Sequence, residues 1–129
     1  MALFEDTLRA HLAGYAGLSA LVGTRITAER SFQNPTLPLL VYEQTGETRE
    51  QSLDTVVRSH LPRYRFTAHA ATYEAAKAIV VQVEAAIGTF TAGSGFTLHD
   101  RLLGDSGDDY DFETKTYSAW LEAELLYTG

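Results

Sequence analysis

The amino-acid sequence predicts one α+β domain, with an antiparallel or mixed sheet of about four strands and helices packed on one face of that sheet. Some segments repeat apolar side chains every three or four residues, as amphipathic helices do, and others alternate apolar with polar side chains, as half-buried strands do. The segments follow in the order helix, strand, strand, helix, strand, strand, which is typical of helices layered on a sheet. The 129 residues match the usual size of one domain, so a single domain over residues 1–129 is expected.

Two amphipathic helices are predicted, one at the N-terminus and one in the middle of the chain. The first begins at Phe4, and a kink at residues 14–17 is followed by a short helical turn that ends at Gly23. The central helix begins after Thr72, whose side chain can cap the first turn, and is expected to end before Gly88. The apolar stripe of this main packing helix consists of Ala76, Ile79, Val80, Val83 and Ile87.

Four strands are predicted from residue 39 onward. An apolar run at residues 39–42 indicates a strand covered on both faces, and alternation at residues 63–70 indicates a strand with one buried face. A short strand at residues 96–99 follows a glycine turn. The alternation at residues 117–127 is the clearest in the chain, and its apolar set is expected to face the core.

Two polar stretches are predicted to lie outside the strands. Residues 46–62 have few aliphatic side chains, so a long loop or an extended arm is expected there. Residues 104–111 are rich in Gly, Asp and Ser, which favours an acidic loop before the last strand.

The composition excludes several classes of protein. The chain has no cysteine, so it can form neither a disulfide framework nor a zinc site of the Cys-x-x-Cys type. Its formal net charge of −7 argues against a surface for duplex nucleic acid, which needs clustered Lys and Arg. The N-terminal segment has acidic residues where a signal peptide needs basic ones, and no apolar run approaches about 18 residues. Neither export by that route nor membrane insertion is therefore expected.

The sequence contains no motif for catalysis, cofactor binding or metal binding. The histidines do not stand at the i, i+4 spacing of a helical metal pair. They are His11, His60, His69 and His99. The acidic stretch lacks the residue order of a calcium loop, and the glycines of residues 93–95 lack the lysine of a phosphate loop. We therefore expect no enzyme activity, no cofactor and no metal, and structural or surface roles for the histidines.

The uneven distribution of charge supplies the candidate contact residues. Arginines crowd the middle of the chain, and carboxylates crowd the segment before the last strand. With so few arginines on an acidic protein, a solvated face or a protein contact is favoured over a phosphate site. Trp120 is out of phase with the core set, so either a helix or loop covers the second face of the sheet there, or Trp120 anchors a subunit contact. The candidates are Arg49, Arg58, Arg63, Arg65, Asp105, Asp108, Asp109, Asp111 and Trp120, with Asp100 and Glu113 close by in sequence.

Three local patterns, taken in order, resemble the small tail-terminator, or tail-completion, proteins of long-tailed phages, prophages and gene transfer agents. They are a short helix stopped by glycine at residues 18–26 (LSALVGTRI), a proline-led strand at residues 37–42 (LPLLVY), and a strand running directly into a helix at residues 64–76 (YRFTAHAATYEAA). The Tyr-rich last strand through Tyr127 ends the chain as it does in that family. The order and spacing of these patterns, over nearly the whole chain, carry the resemblance.

The resemblance implies a non-enzymatic ring, usually a hexamer, that caps the tail tube, ends its growth and presents a surface to the head connector. The implied partners are further copies of the chain, the tail tube protein, and a head connector or neck protein. DNA would pass through the ring without specific binding, and no membrane is involved. The implied location is the tail of the virion, after assembly in the host cytoplasm. The family has no catalytic residues to carry over.

A ring would give the charge distribution a role. In a closed ring two different patches of one subunit meet, so arginines and carboxylates on opposite edges would steer neighbours into head-to-tail contact. Two alternatives stay open: another ring-forming neck or tail protein, and a small ligand-binding domain or enzyme of unknown substrate. Adjacent genes for connector, tail-tube and tape-measure proteins would favour the tail-terminator interpretation.

Overall fold

The structure, a computed structural model, describes residues 4–23, 25–28, 37–51, 57–93, 95–113 and 115–128, without the side chains of residues 28, 48–51, 57, 58 and 92. Within these ranges the chain forms three α-helices and six β-strands. The helices are α1 (Phe4–Gly14), α2 (Ala16–Val22) and α3 (Tyr73–Thr89). The strands are β1 (Ile26–Ala28), β2 (Leu39–Gln51), β3 (Val57–Ala70), β4 (Ala92–Gly93), β5 (Phe96–Asp111) and β6 (Thr116–Thr128).

The strands form one mixed sheet in the order β1-β2-β3-β6-β5-β4. The β1–β2 pair is parallel, and the other four pairs are antiparallel. The four long strands β2, β3, β6 and β5 confirm the predicted α+β sheet. The two short strands at its edges were not predicted, because two or three residues are too few to show an alternating pattern.

The helices pack on one face of the sheet, as predicted. Tyr42, Phe66 and Leu121 are direct neighbours across β2, β3 and β6, and all three are buried under the helices. The ring of Phe4 on α1 stacks on Tyr127 of β6 at a centroid distance of 3.8 Å. One core cluster joins these side chains to the apolar stripes of α1, α2 and α3. Each large apolar side chain buried in this way contributes about 1.5–3 kcal/mol, so this face carries most of the stability.

The helix ends agree with the sequence at two of three positions. The Thr72 side chain accepts a hydrogen bond from the N–H of Ala75 at 3.2 Å, which confirms it as the N-cap of α3. Gly23 has a φ of 60°, which favours glycine, and its N–H donates to the carbonyl of Ser19 to end α2. The prediction that α3 ends before Gly88 is wrong, since the helix runs to Thr89 and is capped by the N–H of Phe90.

The polar stretch from residue 46 to residue 62 is a β-hairpin in the parts that the structure describes. Gly46 pairs with Arg63 and Thr48 with Leu61, so β2 and β3 continue well past their apolar halves. A long loop was therefore the wrong prediction for residues 46–51 and 57–62, and the extended arm is made of two strands. The reason is that the backbone supplies the hydrogen bonds of a ladder, whichever side chains it carries. Residues 52–56 lie outside the described part of the chain.

The acidic segment at residues 104–111 is also a strand and not a loop. It forms the second half of β5, which pairs with β6 up to Asp111 and Thr116. Shifts of register between Leu98 and Asp100, and between Leu103 and Ser106, take up extra residues. Gly, Asp and Ser predict turns when no partner strand is considered, and the long neighbour β6 overrides that preference. Charged residues are typical of strands that lie near the edge of a sheet.

Candidate subunit interface

Arg65 lies at the centre of the sheet face opposite the helices, which we call the outer face. Its guanidinium carbon stands 4.8 Å from the ring centroid of Trp120 on β6. Its Nη2 donates to Oε1 of Glu122, also on β6, at 3.3 Å. The three side chains come together because β3 and β6 are antiparallel neighbours and all three belong to the outward-facing set of their strands.

The other candidate arginines lie on β3 and on its neighbour β2. Arg63 lies 3.9 Å from the carboxylate of Glu124, in a pair that is largely solvent-exposed. Arg49 and Arg58 lie on β2 and β3, and their side chains are outside the described part of the structure. The two described arginines are thus matched by glutamates of their own chain. Such exposed pairs are each worth about 0–1 kcal/mol.

Trp120 covers the outer face of its own sheet. Its indole lies over Gly107 of β5, where a Cβ atom would come within 2.6 Å of Cζ2. Arg65 approaches the same ring from β3. In the isolated subunit Trp120 therefore packs against its own sheet, and its role as an anchor of a subunit contact stays a prediction.

The candidate carboxylates lie along β5, but they point to both faces of the sheet. Asp108 faces the helices and forms an ion pair with Lys77 of α3 at 2.9 Å, and this hydrogen bond raises the pKa of Lys77. Asp109 and Asp111 accept hydrogen bonds from the N–H groups of Tyr110 and Glu113. These contacts hold the end of β5 and the turn that follows it.

One shallow cleft on the outer face brings the two kinds of candidate together. It lies where the register of β5 shifts beside β6, and it is lined by Arg63, Gly104, Asp105, Glu122, Ala123 and Glu124. Elsewhere the two sets are separated, because β6 lies between β3 and β5. Arg58, Arg63 and Arg65 therefore lie on the inner strand β3 and not at an edge, which corrects the expectation of opposite edges for these three, whereas Arg49 lies on β2.

The histidines are dispersed over the molecule. His11 Nε2 lies 2.7 Å from the carbonyl of Ala86, and His99 Nε2 lies 3.0 Å from Oγ1 of Thr128. His60 stacks on Tyr127, and burial lowers the pKa of His69. Among the residues that the structure describes, no three His, Asp or Glu side chains are grouped as a metal ion would require.

Two buried tyrosines lie under α1. Burial raises the pKa of Tyr64, and the carboxylate of Glu5 acts in the same direction. Burial likewise raises the pKa of Tyr42. Both hydroxyl groups therefore stay protonated at neutral pH, and they serve the core as polar ends of large apolar side chains.

Sequence reasoning missed the partners of the candidate residues. Glu122 and Glu124 alternate with the core set of β6, so their place on the outer face could have been read from that pattern. Their pairing with Arg65 and Arg63 could not, because it depends on which strand lies beside β6. Lys77 lies off the apolar stripe of α3, and no pattern in the sequence indicates that Asp108 would reach it.

Comparison with known proteins identifies the family. The family model described as "Tail completion protein gp17" matches residues 6–128. In fold, the chain is similar to one in the solved structure described as the virion of a native gene transfer agent (GTA) particle, with a TM-score of 0.68 and 17% sequence identity. That likeness covers 100% of both chains. No curated protein is significantly similar to the chain in sequence.

The family agrees with the resemblance found in the sequence. The matched residues 6–128 run from the first turn of α1 to the end of β6. Each of the patterns that carried the resemblance therefore lies inside the matched region. No helix in the described ranges is long and apolar enough to span a membrane. The chain therefore belongs to the tail completion protein gp17 family, and it is a structural protein of the phage tail, located in the tail of the virion.

Proposed function

We propose that six copies of this chain form a ring that caps the assembled tail tube, ends its growth and joins the tail to the head connector. Membership of the tail completion family over residues 6–128 is the observation that carries this proposal. The likeness in fold to a chain of a gene transfer agent virion supports it, because that likeness extends over the full length of both chains. The role is structural, and the chain acts through its surfaces and not through catalysis.

The sheet offers the two unlike surfaces that a ring needs. At one side β4 pairs only with Phe96 and Thr97, and the rest of the outer edge of β5 has no strand neighbour in the described part of the chain. At the other side lie β1 and β2. Unlike surfaces on opposite sides of a subunit permit head-to-tail contacts, which close into a ring when the rotation between neighbours allows it.

The charged candidates serve in this proposal as orienting contacts. Carboxylates of β5, including Asp105 and Asp109, would meet arginines of the next subunit, and Arg49 and Arg58 are the candidates near the tip of the hairpin arm. Exposed pairs of this kind set orientation and salt dependence, while buried apolar contacts hold the ring. The net charge of −7 suits a ring through which DNA passes without being bound.

A mass measurement on the purified native protein tests the ring. The expected result is a species of six subunits that appears as a ring in electron micrographs and binds the ends of purified tail tubes. A stable monomer or dimer that leaves tube ends bare would overturn the proposal. A ring that binds heads but not tubes would replace it with the alternative of a neck protein.

Charge-reversal substitutions test the interface. They must take account of the ion pairs that the arginines already form on the outer face. Replacing Arg63 by Glu alone would also repel Glu124 of the same chain. The double substitution Arg63→Glu with Glu124→Arg keeps the ion pair within the subunit. It exchanges the positions of the two charges that a neighbouring subunit would contact. We expect this exchange, and the double change Asp105→Lys and Asp109→Lys, to weaken the ring at low salt. A ring unchanged in both variants would remove these residues from the interface.

A further inference from the structure

The outer side of β5 is a long strand edge without a strand neighbour in the described part of the chain. β4 pairs with β5 only at Phe96 and Thr97, so residues 98–110 have β6 on one side and no described strand on the other. Every residue from 99 to 106 is exposed, whereas β6 beside it alternates between buried and half-buried side chains. Such an edge presents backbone N–H and C=O groups with which another strand can pair.

Two exposed leucines lie on this edge. Leu102 is 51% exposed and Leu103 is 48% exposed. Neighbouring residues of a strand point to opposite faces, so one leucine lies on each face of the sheet. Proteins often protect a free strand edge with Lys, Pro or a covering segment, and residues 98–110 contain neither Lys nor Pro. A long edge strand with exposed apolar side chains is a surface for pairing with another chain.

The opposite side of the sheet has a second edge at the same height. β1 covers only the start of β2, so no described strand lies outside residues 43–46. One row of paired residues crosses the sheet from that edge to β5, and it consists of Gly46, Arg63, Glu124 and Leu102. β2 and β5 run in opposite directions, because three antiparallel pairs connect them. The two edges therefore match in height and in direction.

A second copy of the chain can use both edges at once. When it lies beside the first copy in the same orientation, its β2 runs antiparallel to β5 of the first copy, and the two sheets become one. A Cβ atom added to Gly46 would meet no atom within 4 Å, so Gly46 leaves open space for the Leu102 side chain of the neighbour. The facing segments, residues 43–46 and 101–104, carry one charge each, and these charges are opposite in sign.

Pairing of β5 with β5 of another copy is less favourable. It would bring together two sets of carboxylates, and like charges across a strand pair are destabilising. These carboxylates are Asp100, Asp105, Asp108 and Asp109. A contact between identical edges also closes after two copies, so it does not build a ring. The charges and the symmetry thus favour β2 of the next copy as the partner of β5.

We propose that neighbouring subunits join by strand addition, in which the outer edge of β5 pairs with residues 43–46 of β2 in the next copy. This inference rests on the proposed function, because it requires copies that meet head to tail in a ring. It deepens that function by naming the two segments that meet. Backbone hydrogen bonds hold them together, and Leu102 and Leu103 become covered on the two faces of one continuous sheet.

The test introduces cysteines into the full-length protein, which has none of its own. Cysteine replaces Leu102 or Leu103, and in the same chain it replaces each of residues 43–46 in turn. Within one subunit β2 and β5 are three strand spacings apart, about 14 Å, which a disulfide does not span. A disulfide between the two positions therefore joins two copies. We expect at least one pair to give, on oxidation, a ladder of covalent species up to six subunits.

The controls are Leu102→Cys alone, Gly46→Cys alone, and Gly46→Cys combined with Val81→Cys. Val81 lies on α3 and is 57% exposed, so its cysteine is as accessible as one at residue 102 but lies away from the strand edge. None of the controls should give a ladder. Covalent dimers of Leu102→Cys alone would indicate pairing of β5 with β5 and would overturn the inference.

Amide hydrogen exchange of the wild type is the second measurement, and it decides the question if the cysteines prevent assembly. Amides of residues 98–104 that bond to the next copy should exchange at least about tenfold more slowly in the ring than in the diluted subunit. Equal exchange, or slow exchange only after tail tubes are added, would overturn the inference. A wild-type ring of six without a ladder in any pair would also overturn it and leave the proposed function standing. A wild type that stays monomeric would overturn both.

Discussion

The indole of Trp120 lies so close over Gly107 that a side chain at residue 107 cannot be added without moving the ring. A Cβ at that position would come within 2.6 Å of Cζ2 and 2.8 Å of Cε2. The two residues face each other directly across the β5–β6 pair. The only tryptophan of the chain therefore packs directly against the backbone of Gly107.

We expect Gly107→Ala to destabilise the subunit by about 1–3 kcal/mol, the usual cost of forcing an extra carbon into a packed site. The indole must tilt into solvent, so its fluorescence maximum should shift to longer wavelength. Gly104→Ala is the control on the same strand, because its Cβ would meet its nearest atom, the carbonyl oxygen of Glu122, at an ordinary 3.5 Å. Equal denaturation midpoints for the two variants would contradict the close contact.

Arg65 and Trp120 should be energetically coupled. The guanidinium stacks near the indole and also pairs with Glu122, and the Arg65 side chain is 40% exposed. A double-mutant cycle with Arg65→Ala and Trp120→Ala should give a coupling of about 0.5–1 kcal/mol, as exposed cation–π contacts do. Arg63→Ala serves as control, since the described contact of the Arg63 side chain is the longer pair with Glu124 at 3.9 Å. A coupling near zero would show that the Arg65–Trp120 contact does not stabilise the fold.

Thr72 should stabilise α3 as its N-cap. Its hydroxyl oxygen accepts the N–H of Ala75 at 3.2 Å, which satisfies one of the unpaired amides at the helix start. Thr72→Ala should cost about 0.5–2 kcal/mol in urea denaturation, whereas Thr72→Ser keeps the acceptor and should cost less. If Thr72→Ser and Thr72→Ala destabilise the subunit equally, the hydroxyl group is not what caps this helix.

His69 should make the stability of the subunit depend on pH. Burial lowers its pKa below the ordinary 6.5, so the folded chain favours the neutral imidazole. The unfolded chain binds the proton first as pH falls, so the stabilisation is complete above the unfolded pKa and is lost as pH drops through the folded pKa.

His69→Gln should therefore lose less stability than wild type between about pH 7 and about pH 5, measured by urea denaturation. His99→Gln, which replaces an exposed histidine, controls for the removal of a histidine as such. Identical pH profiles for wild type and His69→Gln would show that His69 is not responsible.

The sequence by itself determined the elements whose pattern is local. Helical spacing from Phe4 and the cap at Thr72 predicted α1 and α3, and period-two alternation at residues 63–70 and 117–127 predicted the inner strands and their buried faces. These predictions hold because a helix or a half-buried strand requires its own residues to repeat in a fixed phase. The family was also recognisable, since the order of such elements along the chain is itself part of the sequence.

The tertiary structure decided everything that depends on a neighbour. Residues 104–111 and the two sides of the hairpin arm became strands because β6 and the opposing arm strand supply hydrogen-bond partners, which composition does not record. Likewise, Arg65 was visible as a charge, but its contacts with Trp120 and Glu122 follow from β3 lying beside β6. In the same way, Tyr73 meets Tyr117 only because α3 packs on the sheet. Side-chain pattern fixes which face of an element is buried, whereas pairing between distant segments fixes which residues share a site.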